Sequence, residues 1–357
     1  MVEEEKQLAR KEIHKTLGIC NFCIGSIGIS LIDDIPKSFK GRLKMYVALF
    51  MTSTLLVLII AGEYAYIIGQ VMYSDLIEDL IGSNLHIAGY GTMSFGKMVT
   101  IWYKRHTFRQ LVGELADIWP VSLKDKEAAA IKKDSLSALK QRQIRVLSVC
   151  NMLGSDLLFM TMASHISMLL RLLQVKIRNI LSIDDDIDIE RDDAEVTQAY
   201  DCYKEIVAVV KIHQRLINYI NDLEDAFSVV NLINVLLSSV NICCVVFTIV
   251  FLEPWMEMSN KFFLGAALTQ MGIVCWYADD IYRASIGVAD AVYESGWYRS
   301  NAHCRLALLL VLQRSQKPLY FTALKFREIT MTTYSSVSCF CDVFKLSSPR
   351  SMTFALQ

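Results

Sequence analysis

Two stretches of this 357-residue chain carry no charged residue at all: 45–62 (MYVALFMTSTLLVLIIAG) and 226–252 (AFSVVNLINVLLSSVNICCVVFTIVFL). A helix needs about 20 mostly apolar residues to cross the hydrocarbon core of a bilayer. The second stretch is too long and too apolar for a soluble core helix, so an integral membrane protein is expected. Hydrophobic residues make up 53% of the chain, against about 45–50% in soluble globular proteins. Lipid offers no water to backbone polar groups, so spanning segments must be helices or closed barrels. Uncharged runs of this length point to helices. The expected fold class is all-α: a polytopic transmembrane helical bundle.

Hydropathy and charge divide the chain further. Residues 1–44 form a polar, partly helical, cytoplasmic N-terminal segment. Its start (MVEEEKQLARKEIHK) has no apolar signal-peptide core, so the first span is expected to do the targeting. Residues 45–173 hold N-terminal spans at 45–69, 81–103 and 146–173, with a basic loop at 104–145. Residues 174–225 hold an acidic run (IDDDIDIERDD) and a helix with an apolar stripe. A transmembrane hairpin is expected over 226–282, with spans at 226–252 and 262–282. An amphipathic cytoplasmic segment follows at 283–318, then a last apolar helix at 319–346 and a tail at 347–357. The chain thus shows about six apolar segments.

Lys and Arg in short loops set orientation. They are dense in 1–44, 104–145 and 283–318 and absent from 70–80 and 253–260. The N-terminus, 104–145 and 283–318 are therefore expected on the cytoplasmic side. Counting back through two spans places 174–225 there as well. One span at 146–173 cannot join two cytoplasmic loops. Either a crossing is missing, or this segment enters and returns on the same side.

Little in the chain suggests catalysis. Zinc-protease, nucleophile-elbow and phosphate-loop motifs are absent, and no enzyme activity or cofactor is expected. Net charge is −1, so nothing draws the chain to nucleic acid. Cys20 and Cys23 form a lone C-x-x-C without a second pair, read as incidental spacing, and no metal site is expected. Asp279 and Asp280 are read as headgroup-level carboxylates, with an acid–base pair as the rival reading. His86, Lys97 and His165 are ionisable groups inside apolar segments, which invites a functional reading. Asn231, Asn234 and Asn241 fall near one face of a helix. They are expected to hydrogen-bond across helices; a polar strip lining a water-filled path is the alternative.

The C-terminal half carries a family resemblance. From Asp201 onward, IHQRLINYINDLEDAFSVVNLINVLLSSVNICCVVFTIV resembles the helix-to-span block of insect odorant receptors. QMGIVCWYADDIYRASIGVADAVYESGWY resembles their next span and its signature, here Ala291, Tyr293, Ser295, Trp297 and Tyr298. LLVLQRSQKPLYFTALKF resembles the block before their last span, with Arg314, Ser315, Gln316, Lys317 and Pro318. The wording looks most similar to a moth member. The resemblance implies seven helices, a cytoplasmic N-terminus and multi-pass insertion in the plasma membrane of a sensory dendrite. It implies a tetramer with the shared odorant co-receptor and a small volatile odorant as ligand. By family position, the ligand site is expected at His86, Tyr90, Phe159 and Phe263, and the pore lining at Thr333, Tyr334 and Val337.

Two departures from the family pattern stand out. Material between a third and a fourth span appears deleted near residues 150–153, the same place where the charge count fails. After Val337, SCFCDVFKLSSPRSMTFALQ brings Asp342, Lys345 and Pro349 where the family is apolar. Both departures raise the expectation of an incomplete, non-functional form. A G-protein-coupled chemoreceptor is the first rival, but no Asp-Arg-Tyr or Asn-Pro-x-x-Tyr motif is present. A gustatory-type receptor channel is the second; Thr333 and Tyr334 touch its pattern, but its closing Gln-Phe is missing.

Overall fold

The computed structural model describes residues 2–29, 39–73, 85–123, 125–149, 154–180, 192–252 and 258–346. Ten α-helices make up nearly all of it: α1 Val2–Ser26, α2 Phe39–Tyr73, α3 Leu85–Tyr103, α4 Arg105–Ile118, α5 Lys126–Val149, α6 Gly154–Ile180, α7 Asp192–Phe247, α8 Ser259–Glu294, α9 Ala302–Ser315 and α10 Met331–Leu346. A π-helical turn, Thr248–Leu252, extends α7.

Among the described residues, three helical stretches are long and apolar enough to cross a membrane: Phe39–Gly69, Gly154–Ile180 and Cys202–Val250. This is fewer than the six apolar segments expected from hydropathy. The three differ in what covers them. No described residue of α2 is buried, and Phe50, Leu55 and Leu58 are exposed. In α6, by contrast, nineteen of 27 residues are buried against protein. Length and composition make α6 a candidate span, yet its apolar surface is already spent on neighbouring helices.

Those neighbours bear on the topological conflict at 104–145. That stretch is two helices joined by a turn. α5 lies antiparallel to α6. At one end Asp125, just before α5, accepts from Asn179 Nδ2 at 2.6 Å; at the other, Gln143 Nε2 donates to Thr161 Oγ1 at 2.8 Å. Eighteen residues separate the two contacts on each limb, so the helices stay in register for about 27 Å. Asp125 Oδ1 also accepts from the Glu127 backbone N–H at 3.0 Å, capping the start of α5. The two helices therefore run side by side in opposite directions.

α1 closes the other side of α6. Ala9, Ile13, Leu17, Cys20 and Ile24 recur at helical spacing, and all are buried. Thr16 bonds His165 at 2.9 Å, and the Trp119 ring meets His165 edge-on at 4.9 Å. His165 is therefore a packed core histidine. Cys20 bonds Thr161 at 3.2 Å, and burial pushes its thiol up to about 12. Glu12 joins α1 to this wall: it accepts from Trp119 Nε1 and from Lys132 Nζ, each at 2.7 Å. Partial burial pushes its carboxyl up, but the Lys132 and Trp119 bonds outweigh that and hold it below the usual value.

Two further boundaries differ from the sequence reading. The helix expected over 174–225 and the span expected from 226 are one uninterrupted 56-residue helix, α7, about 84 Å long. The last helix does not start at 319. An antiparallel pair, β1 Thr322–Ala323 and β2 Arg327–Glu328, precedes it, and α10 begins only at Met331. Leu324 and Lys325 turn that hairpin with φ of 47° and 62°. The signature block ends α8: Ser295 Oγ caps the Val292 carbonyl, and Gly296 takes φ +67°, a left-handed conformation open to glycine without steric cost.

Candidate functional site

The site begins with the polar face of α7. Asn231, Asn234, Ser238 and Asn241 are all buried, and α3 is a main neighbour of α7. The backbones approach closely because α3 presents glycines. A Cβ on Gly96 would lie 3.2 Å from Ile233 Cδ1, and one on Gly89 only 2.0 Å from Asn241 Oδ1. Ser238 donates to Met93 Sδ at 3.5 Å. The three asparagines do share one face, as their spacing indicated.

At the middle of this face sits Asp156 of α6. Its carboxylate accepts from Lys97 Nζ of α3 at 3.0 and 2.9 Å. It also accepts from Asn234 Nδ2 of α7 at 3.1 Å and from Gln270 Nε2 of α8 at 2.6 Å. Lys97 and Asp156 are each 3% exposed. Removing such a pair from water costs several kcal/mol per ion, recovered only when the remaining lone pairs are also bonded. Here two amide donors supply those bonds. Four helices from distant parts of the sequence therefore meet at one carboxylate.

Above this junction lies an aromatic pair. Tyr90 and Phe263 meet edge to face, with ring centroids 4.7 Å apart and planes at 81°. Tyr90 is seven residues before Lys97 on α3, and Phe263 seven before Gln270 on α8. Both offsets are two helical turns on one face, about 10 Å. α3 and α8 thus run in the same direction and are linked at two levels, one by the direct aromatic contact and one through Asp156 of α6. His86 lies one turn beyond Tyr90 on α3, and its side chain falls outside the described residues. Phe159 does not join this group. It packs on Phe227 and Phe321, each at 5.1 Å, in an aromatic cluster completed by Phe108.

The residues expected to line a pore lie on α10. Thr333 is buried and donates to the Glu328 carbonyl at 2.7 Å. Tyr334 is half-buried against α8, where a Cβ on Gly272 would lie 3.3 Å from its ring. Val337 is half-buried. The side chains of Asp342 and Lys345 fall outside the described residues. Asp279 and Asp280 are structural ion pairs: Asp279 accepts from Arg283 at 2.7 Å, and Asp280 accepts from Arg171 and Ser167. Among the described residues no cluster fit to hold a metal ion is present.

Sequence reading singled out Lys97 and Asn234 but not Asp156 or Gln270. The signal for Asp156 was a lone carboxylate opening an apolar run, GSDLLFMTMASHISMLL. An acid and a base in separate apolar segments are expected to find each other.

Comparison with known proteins agrees with this architecture. The model of the 7tm odorant receptor family matches residues 141–341, and the chain belongs to that family. Odorant receptor 85b of Drosophila melanogaster is 29% identical over 133 residues, 37% of this chain and 34% of that protein. Odorant receptor 49a of the same fly is 26% identical over 183 residues, 51% of this chain and 43% of that protein. Such matches span a third to under half of each relative's own length. The olfactory receptor OR5 of Machilis hrabei, solved in complex with eugenol, superposes with a TM-score of 0.75 at 13% identity, covering 97% of this chain and 100% of that one. At that identity the likeness speaks for the fold. The chain is thus a multi-pass helical membrane protein of the odorant receptor family; its relatives are receptors, not enzymes.

Proposed function

We propose that the chain is a subunit of an odorant-gated cation channel in the plasma membrane, tetrameric with the shared odorant co-receptor. Its ligand is a small, volatile, mostly apolar molecule bound in the outer half of the bundle. The observation that carries this reading is the Tyr90–Phe263 pair, an aromatic contact between α3 and α8 set above the polar junction at Asp156. Ligand pockets of this kind are mostly apolar with a few polar groups. His86 completes the pocket by its place on α3. α10, with Thr333, Tyr334 and Val337, serves as the pore-lining helix. Phe159 supports the fold beneath the junction.

The membrane placement follows from the same levels. Trp102 and Tyr103, at the end of α3, lie about 8–9 Å from Lys97 along the helix and form an interfacial anchor with Arg105, which stacks on Trp102 at 5.0 Å. The start of α6 lies just beyond Asp156 on the other side. The α5–α6 pair is therefore a re-entrant hairpin that dips about 10 Å past the anchor, and most of α6 lies beneath the membrane. This arrangement removes the charge conflict, because 1–20, 105–143 and 160–225 all stay cytoplasmic, while the end of α1 follows the start of α6 past the anchor, with Ile24 against Gly154. It also favours a working form over the incomplete one.

The test is a dose–response in cells expressing the full chain with the co-receptor. Eugenol, bound by the Machilis hrabei receptor, is the first probe, followed by aliphatic alcohols and acetate esters. Tyr90→Ala and Phe263→Ala are expected to shift the half-maximal concentration about tenfold or more. Unchanged curves for both variants would overturn the pocket assignment.

A further inference from the structure

The Asp156 junction lies two turns below the aromatic pair, outside the proposed ligand site. It is nevertheless the one place among the described residues where α3, α6, α7 and α8 share a hydrogen-bonding group. α8 carries three contacts in sequence along its length: Phe263 to Tyr90, Gln270 to Asp156, and Gly272 to Tyr334 of α10. Gln270 and Gly272 are two residues apart, so the junction and the seat of α10 lie within about 3 Å along the axis.

We propose that Asp156 is a positioning residue for ligand response. It fixes the depth and rotation of α8 against α3, and so sets both the Tyr90–Phe263 geometry and the seat of Tyr334. The physical case rests on the strength and direction of the bonds. Bonds to an ionised acceptor are about twice as strong as neutral ones. An axial slip of α8 by one residue, about 1.5 Å, would lengthen the 2.6 Å bond from Gln270 Nε2 and bend it away from its preferred geometry. Slip and rotation of α8 are thus discouraged while the bond holds, and become available when it is lost. The apolar contacts at Phe263 and Gly272 have no comparable angular preference. This inference rests on the proposed ligand site and on α10 as pore helix.

The informative variant is Gln270→Met, which keeps the volume and removes a single bond, leaving the Lys97–Asp156 pair and the Asn234 bond in place. Two readouts keep this proposal separable from the ligand-site reading. The first needs no ligand. In membranes from cells expressing the full chain with the co-receptor, the pair Gly272→Cys and Tyr334→Cys is bridged with a short bifunctional thiosulfonate. Adding Gln270→Met is expected to change the bridging rate about threefold to tenfold. The second uses eugenol, the alcohols and the esters at matched surface amount. Gln270→Met is expected to change the maximal response by a similar factor, with a smaller shift in half-maximal concentration than Tyr90→Ala gives. Gln270→His, which keeps a donor, is expected to recover part of both effects. An unchanged bridging rate would overturn the proposal whatever the currents show. A changed rate with no evoked current from any probe would support the positioning role and count against the ligand-site reading alone.

Discussion

Gln143 of α5 donates to Thr161 of α6 at 2.8 Å, toward the C-terminal end of α5 and the N-terminal end of α6. Together with the Asp125–Asn179 bond at the far end, it holds Lys126–Val149 and Gly154–Ile180 antiparallel, and in the proposed placement the outer ends of both lie on the cytoplasmic side. Glycosylation acceptors inserted near 122, near 186 and within 302–315 should all remain unmodified, as should one at the N-terminus. A glycan near 122 or near 186 alone would mean that α6 crosses the membrane singly and the hairpin is not re-entrant.

Gly89 faces Asn241 so closely that a Cβ there would lie 2.0 Å from Asn241 Oδ1. Gly89→Ala should lower the amount of receptor at the cell surface, with an overpacking cost of about 1–3 kcal/mol. Asn241→Ala on the same chain should restore it, because the clash is with the side chain and not with the backbone of α7. Quantitative surface labelling of the single and double variants gives the comparison; equal loss in both would place the strain elsewhere.

Phe159 is about 2% exposed between Phe227 and Phe321. Phe159→Ala should act on stability, costing about 3–5 kcal/mol by leaving a cavity, and Phe159→Leu much less. In detergent extracts the thermal aggregation temperature should fall in that order. A Phe159→Leu receptor that reaches the surface normally yet shifts the half-maximal concentration like Tyr90→Ala would return Phe159 to the ligand site.

Glu12 gives a pH signature to the wall formed by α1, Trp119 and α5. Its folded carboxyl lies below the ordinary value of 4.5 because the bonds from Lys132 and Trp119 outweigh the upward push of burial. A depressed carboxylate stabilises the fold above its unfolded pKa, and that contribution is lost as pH falls through the folded value. Thermal stability of the extracted protein should therefore drop below about pH 4.5 by more in the native chain than in Glu12→Gln. Parallel pH profiles for the two would show that the Glu12 bonds do not contribute.

Local periodicity made some of this molecule legible in advance. The asparagine face of α7 is a matter of spacing within one helix, and Asn231, Asn234 and Asn241 are buried together as that spacing implies. The charge count singled out 146–173, and α6, which begins there, pairs antiparallel with α5. The pairing itself was hidden because a search for apolar runs passes over Lys132, Lys133, Asp134 and Lys140. Those charges are tolerable in α5 because they lie along a limb that is beneath the membrane in the proposed placement. Asp156 and Lys97 are 59 residues apart, and nothing local says which intramembrane base meets which acid. The turn at Leu324 and Lys325 had no glycine or asparagine to announce its positive φ. Phe159 was assigned from family position alone, and its partners Phe227 and Phe321 come from remote segments that only tertiary packing brings together.

α2 differs from every other long helix here in having no buried residue among those described, although it packs along α3, with Tyr64 bonded to Thr92 and Ile60 beside Gly91. Most of its side chains answer to a solvent and not to a shape, and a hydrocarbon solvent distinguishes poorly among Leu, Ile, Val and Met. Such a helix carries little information about ancestry: its letters are interchangeable while its hydropathy is held. It lies outside residues 141–341, the span by which the family is recognised. A tract of unrelated apolar residues grafted in place of 45–62 should be read by the membrane as the same helix, although no comparison of sequences would say so.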